Sequence, residues 1–228
     1  MEGLPFAQTT LQIWRLALKK LNITYIMIKD FNLNYNNYEE NILNYFGIWG
    51  YRCPCCNAVH SFTRHGTYIR NICYLNFDTI EELKITILRL YCNSCETTHA
   101  ILPADIIPYC IYSFSFIFHV LTMHFVDEKT VLESSNKNQI SFQLIYLFIK
   151  RFIKHFNPCI IFLRVFLDAQ LDFSSSFKDA LLIIAKNFSC IDFQREYLNY
   201  FKLVFLMMRN QNILSRPVYI GSHFKPPT

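Results

Sequence analysis

Glycine is scarce in this chain, with five in 228 residues. No Gly-rich loop of the kind that cradles phosphates is present, so the familiar nucleotide-binding motifs are excluded. Charge is also sparse. Charged residues make up 17% and hydrophobic ones 52%, which excludes a disordered chain and provides for a sizeable core. The opening "MEGLPFAQTTLQIW" lacks a basic segment ahead of an apolar one, so no secretory signal is visible. Neither an internal repeat nor a low-complexity run occurs. Length allows one large domain or two small ones.

Two further absences are local. Residues 106–126 run for 21 positions without Lys, Arg, Asp or Glu, long enough to span a bilayer. That run contains Pro108, His119 and His124, and the expectation is a loop leading into a buried helix, not a membrane span. Residues 134–167 contain no acid at all. Net charge is +5, and residues 111–228 hold the whole excess, with thirteen basic and eight acidic side chains. An anionic partner is expected there first.

Cysteine, by contrast, is plentiful and odd in number, at nine. Clustered, odd thiols without a secretory signal point to a reducing cytoplasm and a metal, not to a disulfide framework. Cys53-x-x-Cys56 and Cys92-x-x-Cys95 share one spacing. Two such turns facing one another complete a tetrahedron of thiolates, the usual structural zinc solution. The expected ligands are therefore Cys53, Cys56, Cys92 and Cys95, with one zinc ion. Cys55 offers an alternative to Cys56, and His60, His65 or His99 could each replace a cysteine. A redox reading of "CPCC" needs a strand before it and a helix after it, and "NAVHSFTRHGTY" is a poor helix. Cys73, Cys110, Cys159 and Cys190 lie in apolar runs and read as core thiols.

The coarse pattern is α+β, a small zinc β-ribbon followed by an all-helical region with a helix-turn-helix-like pair. "ITYIMIKD" reads as a strand and "LQIWRLALKKL" as a short helix, with 32–41 a polar loop. Residues 67–75 and 82–91 are rich in β-branched and aromatic side chains and predict a hairpin turning at "NFDTIE". Helices are expected over 112–125, 127–135, 141–156, 159–171, 175–188 and 193–210, with an irregular tail from 215. The expected division is an N-terminal segment 1–50, a zinc-ribbon domain 51–107 and a helical domain 108–228.

The stretch "CPCCNAVHSFTRHGTYIRN…ITILRLYCNSCETTHAILPADIIPY" resembles a family of uncharacterised bacterial zinc-ribbon proteins. Its pattern is CPxC, HGxYxR, then IxRxxCxxCxxTHAxLPxxIxPY. The matched positions include His65, Gly66, Tyr68, Arg70, Arg89, Thr98, His99, Leu102, Pro103, Pro108 and Tyr109. That family in turn looks like the N-terminal zinc-finger region of insertion-sequence transposases. The resemblance implies double-stranded DNA as partner.

Residues 127–156 are the candidate helix-turn-helix. Ser141 is a suitable N-cap, and Ile145, Ile149, Phe152 and Phe156 form one apolar stripe. In such a module Gln139, Ser141 and Gln143 would meet base edges, and Lys150, Arg151 and Lys154 phosphates. Arg64, His65 and Arg70 are the expected DNA contacts of the ribbon. A solvated amphipathic helix is the plainer reading, and a zinc-stabilised scaffold for a protein partner or a second copy is the alternative function. The pairs Asp168/Asp172 and Asp192/Glu196 read as solvated helix faces. No catalytic constellation stands out, and too little chain follows Asp168 for a nuclease core, so no enzymatic activity is expected.

Overall fold

The computed structural model describes residues 25–29, 35, 38, 50–77, 79–169, 171–172, 174–201, 203–207 and 218–219. The expected helix within 11–21 lies outside them. The strands are β1 (Tyr25–Lys29), β2 (Phe62–Asn76), β3 (Thr79–Cys92), β4 (Thr97–Pro103) and β5 (Val218–Tyr219). The helices are α1 (Phe114–Phe125), α2 (Val131–Asn138), α3 (Phe142–Leu167), α4 (Phe177–Asn187) and α5 (Cys190–Phe201). The fold class is α+β, as the sequence pattern requires.

The hairpin is longer than the β-branched runs alone suggest. Asn76 pairs with Thr79, so β2 and β3 meet through a two-residue turn whose Phe77 adopts φ 52°, the left-handed geometry that tight hairpins use. Between Arg64 and Gly66 the register shifts by one residue. His65 is the extra residue of a β-bulge, not part of a chain-reversing turn. Gly66 at φ 152° supplies the backbone that a side chain would strain. The sheet order is β2-β3-β4-β1-β5, with β1 parallel to both β4 and β5. The tail expected to be irregular thus contributes a short strand. Tyr35 and Tyr38, in the segment read as a polar loop, are buried, and the Tyr38 hydroxyl donates to Ile101 O at 2.9 Å.

Three helix boundaries differ from expectation for identifiable reasons. First, the helix expected over 127–135 runs instead from Val131 to Asn138, so the turn of the candidate helix-turn-helix shortens to the residues just before Phe142. Thr130 and Glu133 form a capping box that starts α2 at Val131, and Gln139 in the left-handed region ends it. Second, the helices expected on either side of Pro158 are one 26-residue helix. An interior proline costs about 3 kcal/mol. Buried Phe156, Cys159, Ile160, Phe162 and Leu163 surround it, and at ~1.5–3 kcal/mol for each large apolar side chain they outweigh that cost. Third, α5 stops at Phe201 because the chain folds back. The Gln194 side chain donates to Phe205 O at 3.3 Å and accepts from Phe205 N at 3.0 Å.

One continuous core joins the sheet to the helices, including Ile72, Ile87, Leu90 and Ile101 from strands and Phe114, Phe148, Phe162 and Phe193 from helices. Phe193 is its aromatic hub, with ring centroids of Phe162, Phe188 and Phe205 at 5.6, 5.7 and 5.0 Å. Helix α1 lies within this core, with Phe114, Phe116, Ile117, Val120, Leu121 and Met123 buried. Among the described residues, no helix is long and apolar enough to cross a membrane.

Candidate metal centre

The two cysteine pairs occupy matching turns at one end of the sheet. Cys53–Cys56 precedes β2, and Cys92–Cys95 joins β3 to β4. Asn57 N donates to Cys53 O and Glu96 N donates to Cys92 O, both at 2.8 Å. Asn57 and Glu96 then adopt φ 60° and 58°. Each turn therefore closes in the same way and presents its sulfurs to one point. A third backbone bond, Asn93 N to Ser61 O at 2.8 Å, holds the turns together.

The sulfurs of Cys53, Cys56, Cys92 and Cys95 all lie within 4.8 Å of one another. Cys53 and Cys95 approach to 3.6 Å, and Cys56 and Cys92 to 3.7 Å. Thiolate–zinc bonds of ~2.3 Å in a tetrahedron set a sulfur–sulfur edge of about 3.8 Å. The donor set and its dimensions therefore fit one tetrahedral metal ion. Cys53 and Cys92 are fully buried, whereas Cys56 and Cys95 are partly exposed.

Burial shapes the protonation of the cluster. Burial pushes the Cys53 thiol well up and Cys95 to about 12. Cys92 is also desolvated, but the backbone N–H groups of Cys95 and Ser94 bring its thiol below the usual value. A divalent ion would hold all four groups as thiolates, and binding would release their protons. Four thiolates would fill the tetrahedral shell of such an ion.

Cys55 is exposed, and its backbone N–H points at the Cys53 sulfur at 3.4 Å. His60 and His65 are exposed. His99 is buried, with Nε2 3.5 Å from the Cys53 sulfur and 3.1 Å from Thr97 Oγ1. Thr97 Oγ1 in turn lies 2.9 Å from the Cys95 sulfur. His99 and Thr97 thus contact cysteines of the cluster, as the outer partners of metal ligands do. Thr97 escaped the sequence reading. Its signal was the period-two alternation Cys95, Thr97, His99 at the start of a strand, which places Thr97 and His99 on one face.

The residues expected to face DNA are dispersed. Arg64 is exposed, and exposed His65 stacks on Tyr91 with ring centroids 5.8 Å apart. Arg70 is half-buried, its Nη2 donating to Ile107 O at 3.0 Å and Cys110 O at 2.6 Å. On α3, Gln143, Lys150 and Lys154 are exposed. Arg151 is half-buried, with Nη1 3.4 Å from the Cys110 sulfur. Ser141 caps α3 by accepting from Leu144 N at 3.3 Å. Phe142, Tyr146 and Ile153 are exposed on the same helix.

Residues 53–139 match the family model described as a domain of unknown function, DUF6431. The match runs from the first metal-site cysteine to the end of α2. No curated protein and no solved structure matches the chain, so these comparisons lend no support to the resemblance to transposases.

Proposed function

We propose that this chain is a zinc-stapled DNA-binding protein in which the cysteine cluster fixes the sheet and α3 contacts the duplex. The observation that supports this reading most is the solvent face of α3. Gln143, Lys150, Lys154 and Arg164 are exposed there, and no acid occurs from 134 to 167 to repel phosphate. The motif resemblance stated above supports a recognition role, exercised in a reducing cytoplasm where four thiolates persist. The metal cluster contributes folding, not attraction, because four thiolates and one divalent ion carry a net charge of about −2.

A second reading, a docking surface for a protein, is favoured by exposed Phe142, Tyr146 and Ile153. Salt separates the two. Duplex affinity should fall steeply between low and moderate salt, and the double variant Lys150→Ala/Lys154→Ala should reduce the log–log slope by about two units. Unchanged affinity and slope in that variant would replace the DNA reading with the protein one.

A further inference from the structure

The sheet carries a second feature that the metal centre does not use. A cavity of about 590 Å³ opens between β2, β3, β4 and the loop after β4. Its walls include Tyr68, Arg70, Arg89, Leu102, Tyr109 and Cys110. Five of these six belong to the motif quoted above, and none is a metal ligand. The strand register explains the convergence, because Tyr68 pairs with Ile87 and Arg89 with Ala100, so three strands present the same face here.

The chemistry is specific. Among the described residues, no carboxylate pairs with Arg70 or Arg89. Arg89 Nη2 donates to Thr98 Oγ1 at 3.1 Å, and its remaining donors are available to a ligand. Both guanidiniums lie within electrostatic reach of the Tyr68 phenol oxygen. Two cations that line a partly apolar cavity, on either side of Tyr68 in the strand register, call for an anion, and guanidinium forks suit phosphate. At the mouth, Tyr109 is 60% exposed and sits at φ 61°, a costly conformation for an aromatic residue. Arg70 holds that turn through its bonds to Ile107 O and Cys110 O. An aromatic ring fixed at the rim of a site offers a face for stacking.

We propose that this cavity binds a nucleoside monophosphate group, its phosphate at Arg89 and Arg70 and its base against Tyr109 and Tyr68. The source is either a free nucleotide or the phosphorylated end of a single strand. This goes beyond the duplex-binding reading, because no residue of the cavity lies on α3 and either can fail alone.

The test is calorimetric titration of the metal-loaded full chain with thymidine 5′-monophosphate, inorganic phosphate, thymidine, and oligothymidine with and without a 5′ phosphate. The monophosphate should bind at least about tenfold tighter than phosphate or thymidine, since both charge and stacking contribute. Arg89→Gln and Tyr109→Ala should each weaken it about tenfold, while Lys150→Ala/Lys154→Ala should not. Tyr109→Ala removes an exposed ring, so metal content and melting temperature should hold. A phosphorylated strand binding more tightly than the free monophosphate assigns the site to strand ends, and equal binding assigns it to nucleotides. A strand that binds more weakly than the monophosphate, with or without its 5′ phosphate, also assigns the site to free nucleotides; the proposal is overturned if the wild-type chain does not bind the monophosphate, if phosphate or thymidine alone binds as tightly, or if both cavity variants bind unchanged.

Discussion

His99 sets its Nε2 3.5 Å from the Cys53 sulfur while its ring meets Phe62 edge-on at 5.3 Å. One imidazole therefore links a metal-site thiol to the apolar core. An outer partner of this kind tunes ligand basicity and orientation, and its loss commonly costs ~10–100-fold in metal affinity. His99→Ala should weaken zinc by that factor in a chelator competition. An unchanged affinity would reduce His99 to packing.

The choice of ligands makes a sharper prediction. Purified protein should carry one zinc per chain. Cys56→Ser should lose it, and Cys55→Ser should retain it, as read by elemental analysis and by the visible spectrum of the cobalt-substituted protein. Because small zinc modules draw about 10–16 kcal/mol of apparent folding energy from the metal, a strong chelator should unfold the ribbon, seen as lost β-sheet signal. The reverse result for the two serine variants would move the fourth ligand to Cys55.

Arg151 should behave unlike its two lysine neighbours. Its guanidinium is half-buried against the Cys110 sulfur, with Nε buried and without a partner among the described residues. Arg151→Ala should change chemical-denaturation stability while leaving the duplex salt slope within about half a unit. Lys150→Ala and Lys154→Ala should do the opposite. If Arg151→Ala moves the slope as a lysine variant does, its side chain reaches phosphate.

Acid should destabilise the protein partly through His155. Burial, reinforced by Lys154 and Arg151, holds its imidazole down to about 4 from an ordinary value of 6.5. The fold therefore favours the neutral ring. The resulting stability is fully present above about 6.5 and is lost as pH falls through about 4. His155→Gln should flatten the denaturation midpoint between those values relative to the parent chain. The variant retains the cysteines, so the difference isolates the imidazole from protonation of the thiolates. Parallel curves for the two proteins would assign the acid loss elsewhere.

The four-cysteine cluster was legible because it is written locally. Two identical spacings and a β-branched run between them specify two turns and the hairpin that joins them. Ser141 as a cap was legible for the same reason, since a side-chain acceptor before an apolar stripe acts within one turn. Pro158 misled because local propensity argues for a break, whereas the deciding term is burial on partners distant in sequence. The end of α5 was hidden likewise, in a side-chain bond from Gln194 to a backbone eleven residues away. The cavity around Arg89 depends on a register across three strands and on a strained Tyr109, and neither is visible as a spacing.

The long hairpin is closed at both ends, by the two-residue turn at Phe77 and by the cysteine cluster beyond Phe62 and Cys92. A slip of β3 by two residues would keep every side chain on its proper face, which makes it the alternative that hydrophobic patterning alone cannot reject. Such a slip would carry Cys92 about 7 Å along the strand, far outside bonding reach of an ion held by Cys53 and Cys56. A metal held by all four cysteines would thus act as a proofreader of strand alignment. Chain that has paired in the wrong frame cannot complete the tetrahedron, and only the correct frame is trapped.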